Sequence, residues 1–177
     1  PDASRAGRTG FAREGDAVAI AGLPFLPSLA GSELAKLRGE PLPSALGEWE
    51  ADKVARAIAA VREAVRSGAV SSAHDVAEGG FAVALAECCL AGGLGARIDT
   101  GPSERAEELL FGEGPGGFVI SGERAALEAL GGEDLDVFVC GEVGGERLTI
   151  AMEPARIDVG LEQLREVHEG GLAAFFG

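Results

Sequence analysis

The stretch from Phe81 to Leu90 constrains this chain more than any other. Phe81, Val83, Leu85, Cys88, Cys89 and Leu90 surround a helix on nearly every side, and Glu87 is its only charged interior residue. A helix with no polar face is buried, so the fold must be built around this one. What precedes it is equally specific. Ala69-Val70-Ser71-Ser72 reads as a short strand reaching about residue 73. Ser72-Ala73-His74-Asp75-Val76-Ala77-Glu78-Gly79-Gly80 then places an imidazole, two carboxylates and a glycine pair between strand and helix. The first amides of a helix lack internal partners and carry partial positive charge. Glycines there let a ligand approach the backbone closely, so the turn suits a phosphate or another anion. Asp75 and Glu78 would repel a bare phosphate, which brings in a bridging Mg²⁺. The same residues also fit a plain role: a carboxylate cap, with glycines that only permit tight packing. The stretch alone is consistent with both.

Taken in order, residues 1–14 form a polar, Arg-rich lead-in. Gly15-Asp16 opens a strand, Ala17–Ala21, whose unbroken apolar character predicts burial on both faces. Leu23–Leu29 is a loop with Pro24 and Pro27. Gly31-Ser32-Glu33 starts a short helix through Leu34 and Leu37, with Ser32 either an ordinary N-cap or part of an anion site. Pro41–Gly47 is a second loop. Glu48–Ser67 is a long helix with Val54, Ile58, Val61 and Val65 on one face, ended by Gly68. After the central motif come a helix from about Gly79 to Ala91, a strand over Gly95–Asp99 and a helix over Ser103–Leu110. A Gly-rich loop, Gly112-Glu113-Gly114-Pro115-Gly116-Gly117, frames the single carboxylate Glu113; a plain turn is the alternative. A strand from Phe118, a helix over Glu123–Leu130, two strands over Val137–Cys140 and Arg147–Ile150, and a helix over Leu161–Val167 complete the order. The pattern β–α–α–β–α–β–α–β–α–β–β–α predicts an α+β fold, a mixed β-sheet covered by helices.

Composition removes several classes of function. The formal net charge of −14 argues against a nucleic-acid surface, which needs clustered Lys and Arg. No apolar run is long enough to span a membrane. The start, Pro1-Asp2-Ala3-Ser4-Arg5, has no apolar signal segment and no Met, so the sequence is expected to be a piece of a longer, cytoplasmic protein. Cys88 and Cys89 are adjacent, Cys140 is distant, and His74 and His168 lie far apart. Disulfide and zinc frameworks are therefore not expected.

The loops taken together resemble a known family. Gly15-Asp16, Gly31-Ser32-Glu33, Ser72 to Gly80, Gly92-Gly93-Leu94-Gly95-Ala96 and Leu110-Phe111-Gly112-Glu113-Gly114-Pro115, in that order, resemble the C-terminal lobe of the aminoimidazole-ribonucleotide-synthetase superfamily. Within it they are most similar to the phosphoribosylformylglycinamidine synthases. The resemblance spans roughly residues 10 to 150. It implies a PurM C-terminal-domain-like lobe over 15–155, a lead-in over 1–14 from a preceding lobe, and a C-terminal helix and tail over 156–177. It implies an ATP- and Mg²⁺-dependent ligase that converts formylglycinamide ribonucleotide to formylglycinamidine ribonucleotide. The ammonia is glutamine-derived, delivered by a glutaminase subunit or domain, and the remaining lobes of the large subunit are further partners. It places substrate or nucleotide contacts at Gly31, Ser32, Glu33, His74, Asp75, Glu78, Gly79, Gly80, Glu113, Gly114 and Pro115, with no catalytic base in this chain. Alternatives are a sister enzyme that closes the imidazole ring, or a non-catalytic structural lobe. Ala30 departs from the family, which usually has another Gly there. A lobe that normally packs on others is also expected to self-associate when isolated.

Overall fold

The computed structural model describes residues 6–22, 26–45 and 47–176, with side chains through residue 171. The beginning of the lead-in (1–5), Leu23–Phe25 of the first loop, Leu46 of the second and the end of the tail lie outside the described residues.

Strands β1 (Ala17–Gly22), β2 (Ser72–Asp75), β3 (Ala96–Asp99), β4 (Phe118–Gly122), β5 (Asp136–Val143), β6 (Arg147–Met152) and β7 (Ala155–Gly160) form one sheet in the order β2-β4-β1-β5-β3-β6-β7. All neighbours are antiparallel except β3 and β6, which run parallel. The helices are α1 (Glu33–Leu37), α2 (Ala51–Ser67), α3 (Gly80–Gly92), α4 (Ala106–Phe111), α5 (Arg124–Glu128) and α6 (Leu161–Phe176). The α+β class and the mixed sheet are as expected.

Period-two alternation divides the core between the two faces of the sheet. Ala17, Ala19 and Ala21 of β1 pack with Ala57, Val61 and Ala64 of α2 and Leu127 of α5. Val18 faces the other way, into a larger cluster with Phe81, Leu85, Cys88 and Cys89 of α3, Leu110 of α4 and Leu161 of α6. The apolar girth of α3 is thus used against the sheet, α4 and α6. Burying Phe81 and Leu85 contributes about 1.5–3 kcal/mol each.

Several boundaries differ from the sequence reading for physical reasons. Strand β2 begins at Ser72 and includes His74 and Asp75, because their backbones pair with Val119 and Phe118 of β4. Of the face read from the sequence, Val61 turns inward as expected, but Ile58 is 46 % exposed, and Ala57 and Ala64 join Val61 in the core. Residues 156–160, read as part of a C-terminal helix and tail, form β7 with Ala155 on the sheet edge, and α6 runs through Gly170-Gly171 to Phe176. Phe11, in the lead-in, is a core residue whose amide donates to the Cys88 carbonyl (3.0 Å).

Candidate functional site

Three sequence-distant loops meet at one carboxylate. Glu113 follows α4 and leaves the Gly112 turn with its backbone bridged to Ser28: Ser28 N donates to the Glu113 carbonyl (3.0 Å) and Glu113 N to that of Ser28 (2.9 Å). This pairing aims the side chain back at two helix starts. Its Oε1 accepts from the amide of Glu33, first residue of α1 (2.8 Å), and from the amide of Gly79, N-cap of α3 (2.8 Å). Two amides that helical geometry leaves without partners are thereby satisfied by an internal anion. Gly31-Ser32-Glu33, the Gly79 end of the Asp75–Gly80 turn and Glu113-Gly114-Pro115 are thus brought together.

Each local geometry has a cause. Ser32 is buried and caps α1 through Ala35 N (3.2 Å), while its hydroxyl donates to the Leu29 carbonyl (2.8 Å). Gly80 adopts φ +75°, and a Cβ there would stand 2.7 Å from Gly112 O and 2.8 Å from the Phe111 backbone. The glycine pair therefore seats the start of α3 directly on the Gly112 turn. The packing role set beside the ligand role in the sequence is present in the fold.

The Glu113–Pro115 loop is a ridge between two clefts. One, of about 710 Å³, runs past Gly31, Ser32, Trp49 and Glu50. The other, of about 770 Å³, runs past Ile58, Asp75 and Glu78. Val54 of α2 borders both.

His74 and Asp75 both line the second cleft, but their side chains part. As neighbours on a strand their side chains point to opposite faces. His74 turns toward α3, its Nε2 3.5 Å from Glu87 Oε2, and its Nδ1 lies 2.7 Å from the Asp75 carbonyl. Asp75 and Glu78 are exposed. Among the described residues no three His, Cys, Asp or Glu side chains come together as a metal site. One oxygen of Glu113 is already engaged by two amides. The carboxylates of this chain therefore do not by themselves fit a bridging Mg²⁺. Nor is there a thiol nucleophile: burial pushes Cys89 and Cys140 up to about 12 and raises Cys88 as well, with Cys89 and Glu87 adding to the effect there.

Comparison with known proteins gives this arrangement its context. The family model for the AIR synthase related protein, C-terminal domain, matches residues 13–153. The chain belongs to this family. A PurL subunit of phosphoribosylformylglycinamidine synthase from a Chelativorans species is 34 % identical, covering 99 % of this chain and 24 % of that relative. One from a Synechococcus strain is 43 % identical, covering 68 % of this chain and 16 % of that relative. The chain thus spans a quarter or less of the length of these relatives. Among solved structures, Thermotoga maritima PurL complexed with FGAR superposes with a TM-score of 0.71 at 20 % identity, covering 92 % of this chain and 30 % of that one. The hydrogenase maturation protein HypE in complex with ATP gives 0.58 at 16 % identity, covering 94 % and 56 %. These structures share the fold of the AIR synthase C-terminal domain seen here.

Within this family member, two contributors to the clefts escaped the sequence reading. Ser28 had no signal beyond its place after a proline, and its pairing with Glu113 arises only in the folded chain. Trp49 did carry one: the only Trp in the sequence stands just ahead of a helix, and it is 59 % exposed on the cleft wall.

Proposed function

We propose that this chain is the C-terminal lobe of an ATP-dependent, amidine-forming ligase of purine synthesis, a phosphoribosylformylglycinamidine synthase. The overall reaction joins formylglycinamide ribonucleotide with glutamine-derived ammonia at the expense of ATP. The observation that carries this reading is the 34 % identity to a PurL subunit over 99 % of the chain. ATP, when bound, supplies the phosphoryl group that activates the substrate's amide oxygen. The residues of this chain contribute position: Glu113 clamps the starts of α1 and α3, and the ridge it anchors presents Gly114 and Pro115 to both clefts. Gly31, Ser32, Glu33, Asp75, Glu78, Gly79 and Gly80 border that ridge, and His74 lines the second cleft with Asp75.

The catalytic base and the ligands for Mg²⁺ belong, on this reading, to the remaining lobes of the large subunit, and ammonia comes from a glutaminase partner. The match over 13–153 supports a lobe over residues 15–155, to whose core Phe11 of the lead-in and Leu161 of the C-terminal segment add, and whose sheet ends on β7. No helix among the described residues is long and apolar enough to cross a membrane; a cytoplasmic location is part of the proposal.

A structural lobe is the second reading, and the internal occupation of both helix starts by Glu113 favours it. The test uses the longer protein that contains this sequence. ATP-dependent phosphate release is measured with formylglycinamide ribonucleotide and ammonium, for wild type and Glu113→Ala. Turnover with this substrate supports the ligase; its absence overturns it. A loss of kcat/KM of about a hundredfold or more in the variant assigns the ridge to the active site, whereas unchanged kinetics with lower stability assigns it to scaffolding. The isolated chain is expected to fall below about 1 s⁻¹.

A further inference from the structure

The sheet is covered unequally. Helix α2 packs on β1 and β2, and α5 on β1, β4 and β5. Beyond them, on the same face, β3, β6 and β7 carry no helix from the described residues. Their outward residues alternate as expected for a bare face: Arg97 and Asp99, then Arg147, Thr149 and Ala151, then Arg156 and Asp158. Their inward residues, among them Ile98, Leu148, Ile150 and Ile157, fill the core beneath α3 and α6.

Where this bare half meets α5 there is a groove of about 370 Å³, lined by Arg97, Arg124, Arg156, Thr149, Asp99 and Glu142. Acidic residues outnumber basic ones by 29 to 15 in the whole chain, yet three arginines line this groove against two carboxylate residues. Among the described residues Arg97 and Arg156 form no ion pair, and Arg124 reaches only Glu128, at 3.7 Å. The nearby carboxylates are partly committed. Asp99 Oδ1 accepts from Gly101 N (3.0 Å), and Asp158 is held by Arg147 (2.7 Å). Glu142 stands opposite Arg97 across the β3–β5 pair without an N–O contact within 4 Å. None of the exposed large hydrophobic residues of the described chain lines this groove, so it lacks the apolar anchor that protein partners use. A second depression with Arg8 and Arg66 lies at the C-terminal end of α2, where the helix dipole repels anions.

We infer that the Arg97–Arg124–Arg156 groove binds the phosphate group of a small phosphorylated molecule, at a site separate from the Glu113 ridge. Guanidinium forks match phosphate oxygens in pairs. The volume is at the small end for ligand sites, which suits a phosphate or a sugar phosphate rather than a whole dinucleotide. The Thr149 hydroxyl adds a donor of adjustable direction. This inference does not depend on the ligase reading.

The test titrates the full chain with inorganic phosphate, with ribose 5-phosphate and, as a competing class, with a Glu-rich peptide, followed by calorimetry and by the arginine Nε–H resonances. Phosphate and ribose 5-phosphate are expected to bind and to shift the Arg97 and Arg156 signals. The pair R97Q/R156Q is expected to weaken binding at least about tenfold with an unchanged melting temperature. Tighter binding of ribose 5-phosphate than of phosphate identifies a sugar phosphate as the source; equal binding identifies free phosphate. Affinity weaker than about 10 mM for both, tighter binding of the peptide, or binding that survives R97Q/R156Q but is lost in Glu113→Ala each overturns the inference. Should R97Q/R156Q unfold, the single variant R156K, on the edge strand, replaces it. Loss of the paired-fork contribution then appears as weaker binding, and unchanged affinity overturns the assignment.

Discussion

Replacing Glu113 by alanine leaves the amides of Glu33 and Gly79 without their acceptor. Hydrogen bonds to a charged partner contribute about 1.5–3 kcal/mol, and these two share one oxygen. Glu113→Ala is therefore expected to lower unfolding free energy by about 2–3 kcal/mol, and Glu113→Gln, which keeps a carbonyl acceptor, by about 1 kcal/mol. Urea denaturation checks this, and equal losses for both variants would show that the carboxylate charge is not what the loops need. Gly80 is the sharper case. Its φ of +75° and the backbone of Phe111 and Gly112 beneath it leave no room for a Cβ, so Gly80→Ala is expected to cost more than about 3 kcal/mol. Gly145 has a similar φ, +73°, with nothing within 4 Å; Gly145→Ala is expected to cost about 1 kcal/mol. Similar melting temperatures for the two would refute the packing argument. The glycine frame around Glu113 made the residue visible in the sequence. Its partners were not visible, since they lie 34 and 80 positions away and only the sheet brings them within reach.

The buried thiols belong to α3 and β5. Their pKa values are raised by burial, to about 12 for Cys89 and Cys140 against an ordinary 9.0, with Cys88 raised too. In the unfolded chain they lose protons first, so the folded state holds more protons above about pH 9 and its stability falls as pH rises. Each thiol removes about 1.4 kcal/mol per pH unit between about 9 and 12, and below pH 9 the effect vanishes. Denaturant midpoints at pH 8, 9.5 and 10.5 measure it, and Cys140→Ala should remove one thiol's share of the slope; an identical slope in the variant would mean other groups dominate. Legibility varied among elements for identifiable reasons. The apolar girth of α3 and the buried run of β1 were plain. In α2 the largest side chains marked the inward stripe only in part: Val61 is buried and Val65 packs on the core, but the alanines of β1 draw the helix in along Ala57 and Ala64, leaving Ile58 at the cleft rim. Strand β7 had its signal, the alternation of Arg156, Ile157, Asp158 and Val159, but the helix after it claimed the segment.

For the molecule as a whole, the two clefts carry exposed apolar residues, Leu26 at 64 %, Trp49 at 59 % and Ile58 at 46 %. On the proposed reading such a face meets the other lobes of a larger subunit, and alone it is expected to meet a second copy. Sedimentation should show association that rises with concentration, with a blue shift of the single Trp emission, and Leu26→Lys with Ile58→Lys should abolish both. A strict monomer at high concentration contradicts this. The layers of helix and sheet were legible from sequence; the strand order was not, because β1 takes both its partners from the second half of the chain. That pairing also governs how the protein comes into being. Roughly a hundred residues must be synthesised after β1 before β4 exists. At about 5–20 residues per second, one of the most apolar strands of the fold waits about 5–20 s with neither edge paired. Synthesis thus creates an interval in which an apolar strand stands without partners, and a stall in translation between β1 and β4 is expected to lengthen its exposure to misassembly.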